Sequence, residues 1–224
     1  REVRNQIAYA KSVKEKTGEL AGKRRNIKNV LVLGCSTGYG LASRITAAFA
    51  YGADTIGVSF EKEGTEKKFG TPGWYNNMAF DAEAKKAGLF STTLNGDAYS
   101  DEVKAEVIKL AKEHNMKFDL VVYSLASPVR TDPDTKVLYR SVIKPIGKDF
   151  SGVTFDTMTG EMKEITAEAA NEEEIANTVK VMGGEDWERW INQMMKADVL
   201  ADGCMTVAYS YIGPELSQAI YRSG

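Results

Sequence analysis

Short apolar runs alternate with stretches of helical spacing through the first half of the chain. Residues 30–33 (Val-Leu-Val-Leu) are wholly apolar and rich in β-branched side chains, the pattern of a strand buried on both faces of a parallel sheet. Residues 54–60 (Asp-Thr-Ile-Gly-Val-Ser-Phe), 89–94 and 118–123 (Phe-Asp-Leu-Val-Val-Tyr) predict three more strands. Between them, apolar positions return at helical spacing over 41–50 and 74–88. A further helix is capped by Ser100 or Asp101 and carries Val103, Val107, Ile108 and Ala111 on its inner face. Residues 1–20 predict an amphipathic helix with Val3, Ile7, Ala10 and Val13 on one side, after which Gly18 and Gly22 loosen the chain. Strands alternating with helices make an α/β fold with a doubly wound parallel sheet the economical topology, because parallel crossovers are overwhelmingly right-handed.

The pattern changes after the fourth strand. Residues 130–135 are turn-rich, and 153–168 alternate around Thr159-Gly160 as a hairpin would. Residues 171–182 predict a helix with Glu172, Glu173 and Glu174 in its first turn, where they complement the helix dipole. A second helix over 186–200 holds Trp187, Trp190, Ile191 and Met194, a face read as core or cover. Residues 204–211 supply a fifth strand, with Tyr209 and Tyr211 on one face and Tyr211 nearest the carboxyl edge. Another helix begins at 215 and carries Tyr221. With no repeat or low-complexity linker, residues 1–224 read as a single domain in which 129–200 is an insertion, with its hairpin and helices, between strands four and five.

Chemistry enters at the end of the first strand. Gly34, Gly38 and Gly40 stand in a G-x-x-x-G-x-G spacing between that strand and the next helix. The first glycine turns the chain, the second lets backbone approach a pyrophosphate without a Cβ in the way, and the third packs helix on strand. Glycines alone also suit a plain turn; the flanking strand and helix weigh against that. The spacing differs from G-x-G-x-x-G and resembles the short-chain dehydrogenase/reductase superfamily. Glu61 stands at the carboxyl end of the second strand, where a carboxylate hydrogen-bonds an adenosine ribose and repels a 2′-phosphate. NAD(H) is therefore favoured over NADP(H), although Lys62, Lys67 and Lys68 leave the phosphorylated cofactor open. Asp97 follows the third strand, where it could meet an adenine amino group, and the Leu125-Ala126 corner follows the fourth. All four places fall on the one sheet edge where such folds bind ligands.

Composition narrows the partners. Of 224 residues, 29 are basic and 31 acidic, a net charge of -2 that offers no footprint for nucleic acid. No run approaches the roughly 18 apolar residues of a membrane span, and no signal-peptide pattern opens the sequence. Cys35 and Cys204 are the only cysteines, without metal-type spacing, which suggests a reducing, cytoplasmic setting. The single histidine, His114, reads as a surface residue near a helix C-terminus, so neither a metal site nor a Ser-His-Asp triad is expected. The first residue is not methionine, so the chain is expected to begin inside a longer product.

Five strings carry a resemblance over the whole chain: Gly-Cys-Ser-Thr-Gly-Tyr-Gly (34–40), Gly-Thr-Pro-Gly-Trp-Tyr-Asn-Asn (70–77), Tyr-Ser-Leu-Ala-Ser-Pro-Val-Arg (123–130), Val-Met-Gly-Gly-Glu-Asp-Trp (181–187) and Ala-Tyr-Ser-Tyr-Ile-Gly-Pro-Glu (208–215). They resemble the trans-2-enoyl-CoA reductases and the related FabV-type enoyl-acyl-carrier-protein reductases, in their N-terminal part. The resemblance implies NADH-dependent reduction of the C2–C3 double bond of an enoyl-CoA or enoyl-carrier-protein thioester, in fatty-acid synthesis. It also implies cofactor contacts at Gly34, Cys35, Ser36, Thr37, Gly38 and Tyr39, at Phe60 and Glu61, at Asp97 and Ala98, and at Leu125 and Ala126. Tyr211 becomes a substrate contact and Tyr221 the proton donor. Hydride would go to C3, leaving an enolate that a tyrosine hydroxyl can stabilise before C2 is protonated. The family's Tyr-x8-Lys spacing, counted from Tyr221, puts the lysine after Gly224. Little reductase activity is therefore expected of the 224 residues without the remainder of the polypeptide or a separate chain. A carbonyl reductase of the same superfamily is the alternative, against which stands the lack of a lysine four residues after Tyr209 or Tyr211. A dinucleotide-binding module without chemistry is the other.

Overall fold

The computed structural model describes residues 1–16 and 27–210. In chain order these form α1 (Glu2–Lys16), β1 (Asn29–Leu33), α2 (Gly38–Ile45), β2 (Asp54–Ser59), α3 (Pro72–Lys86), β3 (Ser91–Asn95), α4 (Asp101–Glu113), β4 (Phe118–Tyr123), β5 (Val129–Thr131), β6 (Leu138–Arg140), β7 (Phe150–Asp156), β8 (Glu161–Ala167), α5 (Glu172–Met182), α6 (Glu185–Lys196) and β9 (Leu200–Ala208). Residues 1–125 and 187–209 make one compact unit and residues 126–186 belong to another.

The first unit is a five-stranded parallel sheet in the order β3-β2-β1-β4-β9. Because the strands are parallel, all their carboxyl ends lie on one edge. The apolar run predicted over 30–33 is buried on both sides. Leu31 and Leu33 join Ile56, Val58, Val107, Phe118, Val121, Trp190 and Met194, while Val30 and Val32 pack with Ala47, Ala53 and Val122 on the other face. The aromatic face of α6 is core, as its spacing predicted: Trp190 and Met194 are fully buried. The α1 stripe also holds, with Val3, Ile7 and Ala10 packed against Leu41, Ile45, Phe49 and Phe80. The helix predicted over 41–50 begins earlier, and its last part, Thr46–Tyr51, widens into a π-helix that ends at Gly52 in the left-handed region. His114 caps the C-terminus of α4, exposed, with its ring 4.2 Å from that of Phe90.

The end of the sheet differs from the sequence reading. Helix α6 stops at Lys196 and β9 begins at Leu200, four residues before the predicted strand. Phe118 pairs with Leu200 and Leu120 with Met205, so the register shifts, with Gly203 at φ 71 inside the irregularity. A bulge absorbs Ala201-Asp202-Gly203, which by composition reads as a break. Tyr209 follows the strand. Tyr211 and Tyr221, with the helix predicted over 215–224, lie outside the described residues.

In the second unit, β7 and β8 form the antiparallel hairpin predicted around Thr159-Gly160, with Phe150 opposite Ala167 and Asp156 opposite Glu161. Helix α5 starts as its acidic first turn predicts. Asn171 accepts the Glu174 N–H at 2.8 Å and Glu174 accepts the Asn171 N–H at 3.0 Å, a reciprocal capping box. The turn-rich stretch 130–135 hides a second hairpin. Asp132 accepts the N–H groups of Asp134 and Thr135 at 2.9 and 2.8 Å, and β5 pairs with β6 on either side. Those backbone donors, chiefly Thr135, hold the Asp132 carboxyl below its ordinary value.

Candidate functional site

Each glycine of the first loop meets a separate geometric demand. Gly34 turns at φ 81, its N–H donates to Val58 O at 2.9 Å, and a Cβ there would lie 2.1 Å from Ser124 O. A Cβ on Gly40 would lie 1.9 Å from Gly34 O, so α2 crosses the end of β1 in direct backbone contact. Gly38, at φ 53, has nothing within 4 Å of a Cβ position. The loop thus leaves open space above Gly38, at the start of α2. Thr37 makes no side-chain cap there, and no acidic residue stands in the first turn. Uncapped N–H groups at a helix start, beside an open glycine, fit the pyrophosphate of a dinucleotide.

The side chains of the loop divide. Thr37 and Tyr39 are exposed, whereas Cys35 and Ser36 turn inward. Cys35 donates its N–H to Val58 O at 3.0 Å, and its thiol lies 3.7 Å from an Arg44 nitrogen and 3.6 Å from Asn77 Oδ1. Burial pushes that thiol up from its ordinary pKa, with Arg44 opposing. Of the loop positions expected to meet a cofactor, Cys35 has both its side chain and its N–H engaged with protein. Tyr39 stacks on Tyr209 at 5.5 Å, and the Tyr209 and Ser43 hydroxyls are 2.8 Å apart, joining the start of α2 to the end of β9.

Glu61 stands beyond β2, where the strand pattern places it, and is braced on three sides. Ser36 Oγ donates to its Oε1 at 2.5 Å, the Thr71 hydroxyl donates to Oε2, and its N–H donates to Asn95 Oδ1 at 2.8 Å. Asn95 Nδ2 returns a bond to Glu61 O at 2.9 Å. The string 70–77 now has a physical reason. A Cβ on Gly73 would lie 2.1 Å from Glu61 Oε1, Asn76 holds Ser36 O at 3.0 Å, and Asn77 holds Ser59 Oγ at 2.9 Å. The N-cap and first two turns of α3 therefore fix both the glycine loop and Glu61. Phe60, 80% exposed, stands beside it as a bare ring.

Asp97 lies in the turn after β3, its Oδ1 accepting the Tyr99 N–H at 2.9 Å, and Ala98 is buried. Leu125 is half-buried near Gly34, and Ala126, exposed, is the first residue of the second unit. The sequence reading missed Asn95, Thr71 and Tyr209. It also missed Arg44, fully buried below the loop. Arg44 donates to Thr93 Oγ1 at 2.7 Å, Thr92 O at 2.8 Å, Ser91 Oγ at 3.0 Å, Asp81 Oδ1 at 3.1 Å and Thr55 Oγ1 at 3.2 Å, and stacks on Phe80 at 4.3 Å.

A parallel sheet of this order, with a glycine cradle at β1 and an acidic residue after β2, defines a dinucleotide-binding α/β fold of the short-chain reductase kind. Residues 1–66 match the NAD(P)H binding domain of trans-2-enoyl-CoA reductase, and residues 68–224 match the trans-2-enoyl-CoA reductase catalytic region. The chain belongs to the trans-2-enoyl-CoA reductase family. It is 66% identical over 222 residues to the NADH trans-2-enoyl-CoA reductase of Treponema denticola, covering 99% of this chain and 55% of that protein. Against the NADH enoyl-[acyl-carrier-protein] reductase of Saccharophagus degradans the identity is 58%, covering 98% and 54%. The crystal structure of the Treponema denticola trans-2-enoyl-CoA reductase in complex with NAD superposes with a TM-score of 0.94 at 65% identity, over 99% of this chain and 55% of that one. The chain spans about half the length of the curated relatives it matches.

Proposed function

We propose that the protein carrying this chain reduces the C2–C3 double bond of a trans-2-enoyl thioester, with NADH as the hydride source, in fatty-acid synthesis. The observation that carries this reading is the match of both parts of the chain, cofactor-binding and catalytic, to one reductase family. NADH would supply the hydride to C3. The residues proposed to hold it are Gly34, Ser36, Thr37, Gly38 and Tyr39, with Phe60, Glu61, Asp97, Ala98, Leu125 and Ala126. Cys35, with its side chain and N–H held by protein, would line the cradle through its carbonyl alone. The Glu61 carboxylate, kept in place by Ser36 and Thr71, disfavours a 2′-phosphate by charge. Tyr221 is proposed to stabilise the developing thioester enolate and donate the proton, and Tyr211 to touch substrate. Relatives named for CoA and for carrier-protein substrates lie at similar identity, so the reading covers both thioesters. No helix among the described residues is long and apolar enough to cross a membrane, and the two free cysteines support a reducing, cytoplasmic setting.

The test follows nicotinamide absorbance with crotonyl-CoA, a crotonyl carrier protein and acetoacetyl-CoA in parallel. Oxidation of NADH by a crotonyl thioester, faster than oxidation of NADPH, is expected. Turnover confined to acetoacetyl-CoA would overturn the reading in favour of carbonyl reduction.

A further inference from the structure

The turn after β3 is held from beneath by a buried cation that the sequence pattern hides. Lys104, on the inner face of α4, has no exposed surface. Its Nζ donates to Tyr99 O at 2.8 Å, Ala98 O at 2.9 Å and Ser100 O at 3.4 Å, so three ammonium hydrogens meet three consecutive carbonyls. Ala98 O also accepts the Trp190 indole N–H at 3.0 Å, and Lys104 Nζ lies 5.0 Å from the Trp190 ring. The other side of the same peptide group is fixed as well, since the Tyr99 N–H donates to Asp97 Oδ1 at 2.9 Å.

One planar peptide unit, between Ala98 and Tyr99, is therefore gripped by Lys104 and Trp190 at its oxygen and by the Asp97 carboxylate at its hydrogen. We infer that Lys104 and Trp190 are positioning residues for adenine recognition: by fixing that peptide plane they aim the Asp97 carboxylate at the adenine amino group. This rests on the proposed role of Asp97. A lysine buried only to fill space would be replaceable by an apolar side chain of the same length. This one reaches the carbonyl row of the turn that carries Asp97. With the ammonium gone, three inward carbonyls lose a donor, the peptide can rotate, and Oδ1 loses its fixed partner.

The experiment compares dissociation constants of NADH and of its 6-deamino analogue, which carries hypoxanthine, for the wild-type protein and the variants Lys104→Met, Trp190→Phe and Asp97→Asn. Wild type is expected to prefer NADH by about tenfold, the worth of a hydrogen bond to a charged acceptor. Lys104→Met and Asp97→Asn should bring the ratio towards one, with Trp190→Phe between. Reduced nicotinamide mononucleotide, which has no adenine, should bind wild type and Lys104→Met alike. A wild-type ratio retained by Lys104→Met and Trp190→Phe, while Asp97→Asn loses it, overturns the inference and leaves the Asp97 reading standing. A ratio of one in wild type, or one untouched by Asp97→Asn, overturns both. If Lys104→Met does not fold, Trp190→Phe, which keeps an aromatic ring of smaller size and removes the indole donor to Ala98 O, decides by the same ratio.

Discussion

Two glycines of one loop should fail in opposite ways when each becomes alanine. At Gly40 the new Cβ would sit 1.9 Å from Gly34 O and 2.9 Å from Gly34 C. Ordinary carbon–oxygen contact is about 3.2 Å, so α2 must back away from β1 by more than about 1 Å against a backbone carbonyl that cannot swing aside. Overpacking of that kind costs roughly 1–3 kcal/mol, and the gain of about 1 kcal/mol from alanine in a helix offsets only part of a clash at the upper end. The net loss of about 2 kcal/mol lowers the melting temperature by roughly 4–8 °C for a unit of this size. At Gly38 nothing lies within 4 Å of the Cβ, so the fold loses only about 1 kcal/mol for a left-handed alanine at φ 53. That methyl group, however, would stand in the space proposed for the pyrophosphate. Thermal melts and NADH titrations on both variants separate the effects. Gly40→Ala should melt early. Gly38→Ala should melt within a few degrees of wild type, yet bind NADH at least about tenfold more weakly. Wild-type NADH affinity in Gly38→Ala would refute the placement of the phosphates, and a wild-type melting temperature in Gly40→Ala would refute the packing argument.

Arg44→Met should destabilise the protein by about 2–3 kcal/mol in urea unfolding, because Thr92 O, Thr93 Oγ1 and Ser91 Oγ lose a buried donor and Asp81 loses its ion pair, keeping the Ser91 and Thr93 hydroxyls; a loss under about 1 kcal/mol would contradict that. Asp101, bridged by Arg189 at 2.6 Å and held by Gln193 at 2.8 Å, is lowered to about 2, with the Arg189 hydrogen bonds the largest cause. A folded pKa below the unfolded value stabilises above about pH 4 and loses that contribution as pH falls towards 2. With the Asp101 side chain 41% exposed, screening leaves about 1 kcal/mol. Arg189→Ala should therefore cost more at pH 7 than at pH 2.5, and an equal cost at both would count against the assignment. Glu61→Gln should shrink the preference for NADH over NADPH by about tenfold, read from dissociation constants, through loss of one negative charge beside the ribose; an unchanged preference would show that Glu61 does not face it.

What the sequence made legible follows from what its patterns encode. The run at Val30 to Leu33 is apolar at every position because its strand is covered on both faces, so the strand, the loop after it and a parallel sheet could be read together. Buried cations could not be read that way. Lys104 shares a stripe with Val107 and Ala111, and Arg44 with Leu41 and Ile45, yet a charged residue is ordinarily assigned to the solvent side. Asking which charges fall on an apolar stripe would have found both. The hairpin of β5 and β6 has strands of three residues, too short to show a period. The start of β9 was hidden by Gly203, whose bulge resembles a strand end in sequence. At the site, the position of Glu61 after β2 was legible, but its bracing by Ser36, Thr71 and Asn95 joins residues up to 34 positions apart, which no local pattern records.

The most direct test of the proposed reaction is where the hydride goes. With NADH deuterated at both C4 positions of the nicotinamide and crotonyl-CoA in ordinary water, mass and proton spectra of the product should show butyryl-CoA with a single deuterium at C3 and a solvent proton at C2. Deuterium on a carbinol carbon, or a saturated product without label, would contradict it.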